Sequence, residues 1–78
     1  MTESLNTRFA AVFRQSETLY IEAALKERFA REEAVARGDE KAEKRYSATY
    51  SRLIGYAGKE AQKARNFEEA AKLESQND

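Results

Sequence analysis

Leu5, Phe9, Val12, Ser16, Leu19, Ala23 and Ala30 recur through the first half of the chain in alternating steps of four and three, interrupted only at Lys26. That period is the period of an α-helix, so the spacing predicts one amphipathic helix over about residues 4–36, with Phe13, Tyr20 and Ala24 widening its apolar face. Thr2 or Ser4 is placed to cap it. A second apolar set, Ile21, Leu25 and Phe29, repeats at spacing four and lies roughly 140 to 200 degrees around the helix from the first, at about 100 degrees per residue. A helix with two apolar faces needs two coverings. Ile21, Leu25 and Phe29 are therefore expected at an interface, covered by a third helix, a second copy or another protein. Ser16-Glu17-Thr18 offers an alternative restart point that would re-aim the helix midway.

Ala36-Arg37-Gly38-Asp39-Glu40 places a helix stop beside a helix start, because glycine enters the left-handed conformation freely and aspartate accepts free amide hydrogens. A second helix is expected from Glu40 to about Ala64. Its inner face comprises Ala42, Tyr46, Thr49, Tyr50, Leu53, Ala57, Ala61 and Ala64. Gly55 and Gly58 lie inside this pattern, each costing about 1 kcal/mol of helix propensity relative to alanine, and close packing against the first helix is the expected compensation. Ala36-Arg37-Gly38 is echoed 28 residues later by Ala64-Arg65-Asn66. The echo, together with the capping-box spacing of Asn66 and Glu69, predicts a turn near Asn66 and a third helix over about residues 67–75, leaving 76–78 as a frayed tail. Asn66 to Leu73 resembles the second helix of a tetratricopeptide repeat over only eight residues, without that repeat's tryptophan, glycine and proline landmarks, so no family follows from it.

The expected fold is all-α: an antiparallel helical hairpin of one domain, with a short third helix docked back, dimerising into a helical bundle. Composition agrees. The chain has 78 residues, no proline and 36% charged residues, and that length supports only a small core. With neither cysteine nor histidine, it lacks thiolate chemistry, disulfides, the commonest metal ligand and the usual general base. No metal, cofactor or catalytic residue is expected, and no enzyme or small-molecule substrate. No apolar run is long enough for a signal peptide or a membrane span, so a cytoplasmic protein without membrane partners is expected.

Charge changes the picture in one place. Between Lys41 and Arg65 the chain holds seven basic residues against Glu43 and Glu60, although the whole chain is neutral. Lys41, Arg45, Arg52, Lys59 and Lys63 fall within roughly 40 degrees of one another around the helix at about 100 degrees per residue, a stripe on its outer face. The plain alternative is a solvated face balanced by Glu68, Glu69, Glu74 and Asp78. As a functional surface the stripe suits an acidic protein better than nucleic acid, because a pI near 6.3 lacks the basic excess of a phosphate-driven binder. A dimer pairing two stripes would change that balance, and hairpin dimers of this architecture are compatible with RNA binding. The expected function is a small protein-binding adaptor or inhibitor. A dimeric nucleic-acid-binding regulator is the alternative, and a purely structural oligomerisation unit the third reading.

Overall fold

The computed structural model describes residues 3–76. It is a single antiparallel hairpin: α1 spans Leu5–Arg37 and α2 spans Glu40–Gln76, and the described residues contain no strand. The molecule measures 60 × 18 × 12 Å. Ser4 caps α1, its Oγ accepting the Thr7 amide at 3.1 Å. Thr2, the other candidate cap, lies outside the described residues, as do Asn77 and Asp78 of the expected tail; Gln76 closes α2.

The turn forms where helix stop and start meet. Gly38 adopts φ 72° and ψ 23°, its amide donating to the Val35 carbonyl at 3.0 Å, while the Asp39 amide donates to Ala34 at 2.9 Å. These two bonds satisfy two of the last four carbonyls of α1. Asp39 then caps α2 by accepting the Ala42 amide on Oδ1 at 3.1 Å, with Glu40 and Glu43 in the first turn complementing the helix dipole.

Neither the alternative restart at Ser16 nor the expected turn at Asn66 forms. α1 runs unbroken through Ser16, and the Thr18 hydroxyl donates back to the Arg14 carbonyl at 3.1 Å, satisfying it within the helix. α2 likewise runs straight through Asn66, so the predicted third helix is the last part of α2. The Asn66 side chain, instead of capping a new helix, accepts from Gln62 Nε2 at 3.0 Å one turn back. The physical reason is phase. Leu53, Ala57, Glu60, Ala64, Phe67 and Ala71 continue one four-and-three spacing across Asn66, and a break would withdraw Phe67 from its stacking on Phe9 and Phe13. Asparagine tolerates a turn but does not impose one.

The seam between the helices differs from expectation on α1 and matches it on α2. Every buried residue among those described is alanine: 10, 24 and 34 on α1, and 42, 57, 61 and 64 on α2. Half-buried Phe13, Glu17, Tyr20 and Glu27 complete the α1 side, so the residues expected merely to widen the apolar stripe form the contact itself. Counting outward from the turn sets small against large: Ala10 lies level with Phe67, Phe13 with Ala64, Tyr20 with Ala57 and Ala24 with Leu53. Alternating volumes let the helices approach closely without voids. At the free end Phe13 stacks on Phe67 at 5.6 Å and Phe9 tilts against it at 5.3 Å, and Asn6 donates to the Glu74 carboxylate.

Candidate protein-binding surfaces

No large side chain in the described chain is fully buried, and Leu5, Phe9, Val12, Leu19, Ile21, Leu25, Phe29, Val35, Ile54, Tyr56 and Leu73 are exposed. The hairpin is thus built inside out: alanines and aromatic rings hold the helices together, and nearly all branched aliphatics point away. Small side chains at the seam bring the backbones together and push larger neighbours to the flanks.

Those flanks form two faces. With the seam at the a and d positions of a heptad, the g and c positions of both helices share one face, and the e and b positions share the other. Observed contacts fix this pairing. On the first face Phe9 reaches across to Phe67, Tyr20 packs on Tyr56 at 5.5 Å, and Lys63 Nζ lies 5.4 Å from the Phe13 ring centroid. On the second, Arg14 of α1 grips Glu68 of α2 in a two-pronged pair, Nε to Oε2 at 3.0 Å and Nη2 to Oε1 at 2.8 Å.

The first face carries the strongest apolar repeat of the sequence. Leu5, Phe9, Val12, Ser16, Leu19 and Ala23 follow coiled-coil spacing along α1, with Leu5 65% and Leu19 60% exposed. Beside them, on α2, run Tyr56, Arg45, Arg52, Lys59 and Lys63, with Leu73 at the free end. All five residues of the basic stripe are exposed, Lys41 standing furthest from the seam. Among the described residues only Lys63 of the five has an ion-pair partner, Glu60 at 3.4 Å; of the later acids, Glu68 is held by Arg14 and Glu74 accepts from Asn6. Lys59 and Arg45 lie over the rings of Tyr56 and Tyr46 at 5.9 and 5.5 Å. This combination of an apolar seam and a basic edge was missed by sequence reasoning, which assigned the seam to the core.

The second face holds Ile21 and Leu25 of α1 with Ile54, Gly58 and Ala61 of α2. Ile21 and Leu25 are exposed and Phe29 more so, lying further round toward the back of α1. Covering of this stripe by a third helix is corrected: within the expected third helix Phe67 packs on Phe9 and Phe13, and Leu73 is 60% exposed. Close packing of Gly55 and Gly58 on α1 is corrected as well, because a Cβ added at either would meet nothing within 4 Å. Both glycines face outward, away from the alanine seam.

Ionisation is displaced at the Arg14 cluster. The hydrogen bonds Arg14 donates to Glu68 and then to Glu17, the latter at 3.0 Å, raise its pKa above the ordinary value, and Arg14 in turn lowers that of Glu68. Its role is to lock α1 to α2. An open hollow of about 410 Å³ lies on the end of α2 between Arg65, Glu68, Glu69, Ala71, Lys72 and Ser75. Among the described residues no helix is long and apolar enough to cross a membrane. Comparison with protein-family models, curated proteins and solved structures finds no match for this chain.

Proposed function

We propose that the chain is a non-enzymatic protein-binding module, an adaptor or inhibitor whose first face receives an amphipathic helix with an acidic edge from another protein. One observation carries this reading: Leu5, Phe9, Val12 and Leu19 form an exposed coiled-coil seam directly beside a row of arginines and lysines. A third helix laid there completes a three-helix bundle, its apolar ridge on α1 and its carboxylates toward Arg52, Lys59 and Lys63. Apolar burial supplies affinity, and the charges steer approach and register.

The test is calorimetric titration with a designed amphipathic peptide carrying leucine at a and d and glutamate on its flanks, beside a lysine-flanked copy. Binding of the acidic peptide alone, lost on Leu19→Glu and weakened by Arg52→Glu with Lys59→Glu, is expected. Equal binding of both peptides, or of neither, sinks the reading.

A second reading, nucleic-acid binding through Lys41, Arg45, Arg52, Lys59 and Lys63, is favoured by the absence of ion-pair partners for four of the five among the described residues. Salt separates the two, because phosphate contacts lose affinity by orders of magnitude as salt rises while a largely apolar interface weakens modestly.

A further inference from the structure

The hairpin leaves too much surface in water for a chain of its mass. A compact monomer of 8.9 kDa exposes about 4,800 Å² by the usual scaling of area with mass, whereas this one exposes 6125 Å². The surplus, roughly 1,300 Å², exceeds the ~800 Å² that one partner contributes to a standard stable interface. We propose that the second face is where two copies of this chain dock about a two-fold axis, burying Ile21, Leu25 and Ile54 in a four-helix bundle.

Charge selects the face. A two-fold interface sets a patch against itself, so a patch of one sign repels its own copy. The first face carries Arg45, Arg52, Lys59 and Lys63 and would stack positive on positive. The second is uncharged at its centre, with Thr18, Ile21 and Leu25 of α1 beside Ser51, Ile54 and Gly58 of α2. Toward its ends Arg14 pairs with Glu68 and Arg28 with Glu32 at 3.5 Å, and Lys44, Arg65 and Lys72 of α2 stand exposed on the same side beyond the apolar centre. An antiparallel copy docked about the centre meets uncharged surface there, with the charged residues left toward the rim. Gly58 fits the same arrangement, since its missing side chain removes bulk where the second backbone approaches, and nothing within the hairpin uses the space. The dimer leaves the first face open, so this inference stands apart from the acidic-helix reading.

Sedimentation equilibrium of the full chain across a wide concentration range should return about twice 8.9 kDa. Leu25→Glu should shift dissociation to at least 100-fold higher concentration, whereas Leu19→Glu on the opposite face leaves it unchanged. Because Leu25→Glu also tests whether the protomer folds alone, face assignment is read independently in single-cysteine variants of this cysteine-free chain. Ser51→Cys should join two chains through a short bismaleimide and Ser16→Cys should not. A monomer at every concentration overturns the proposal, as does cross-linking through Ser16→Cys in place of Ser51→Cys. Peptide titration reads the other face, so either conclusion can fail without the other.

Discussion

Glycine-to-alanine substitution should have opposite signs at two positions of this chain, and the structure supplies both magnitudes. Gly38 is the only described residue with positive φ, and a Cβ there meets no atom within 4 Å. The penalty for Gly38→Ala is therefore conformational, about 1–2 kcal/mol for holding an L-residue in the left-handed region. Loss of unfolded-chain freedom offsets about 0.4–1 kcal/mol, leaving a net loss near 1 kcal/mol. Gly55 is an ordinary helical residue on the back of α2, away from both faces, and its added Cβ is equally unopposed. There alanine recovers helix propensity, a gain of about 1 kcal/mol. Since 1 kcal/mol moves the midpoint of a chain this small by roughly 4–8 °C, the variants should straddle the parent, about 8–16 °C apart. Thermal unfolding followed by circular dichroism, with all three proteins at one concentration, makes the comparison. A neutral Gly38→Ala would refute the left-handed cap as the element that closes the hairpin. A destabilising Gly55→Ala would show that a neighbour packs on that glycine.

Ala64 is fully buried level with Phe13, so Ala64→Leu should lower stability by about 1–3 kcal/mol in urea titration, while Ala48→Leu on the exposed back stays within about 0.5 kcal/mol. Asp39→Ala removes the acceptor of the Ala42 amide and should cost about 1 kcal/mol by the same assay. The Glu68 pKa is depressed by Arg14, so this pairing contributes fully above the ordinary carboxylate range and is lost as pH falls through the lowered value. Acid should therefore speed amide exchange at the free end of the hairpin, after correction for the intrinsic rate, more than at the Gly38 turn. Glu68→Gln should remove most of that difference.

The α2 contact face was legible because Ala42, Tyr46, Tyr50, Leu53, Ala57, Ala61 and Ala64 are its one coherent apolar stripe, and the structure buries or half-buries each of them. α1 was ambiguous. It carries two four-and-three repeats side by side, one from Leu5 through Val12 and Leu19, the other from Ala10 through Phe13, Tyr20 and Ala24. Apolar weight favours the first as core, and that ranking failed because contact between two helices depends on complementary volume as well as hydrophobicity. The basic stripe could be drawn on a helical projection, but its place beside an apolar seam required knowing which repeat of α1 faces α2.

By itself the sequence determined what is local. The Gly38-Asp39 turn, the caps and the helical period follow from φ preference, short side-chain acceptors and residue spacing, each acting within about a turn. Tertiary structure alone decided the rest. Asn66 stays helical because Phe67 is gripped by Phe9 and Phe13 some fifty residues away in sequence, and α1 turns its alanines inward because only they admit the aromatic rings and Leu53 of α2. The same choice turned the aliphatics outward and left two apolar faces exposed, since a helix can offer only one of its repeats to a single partner.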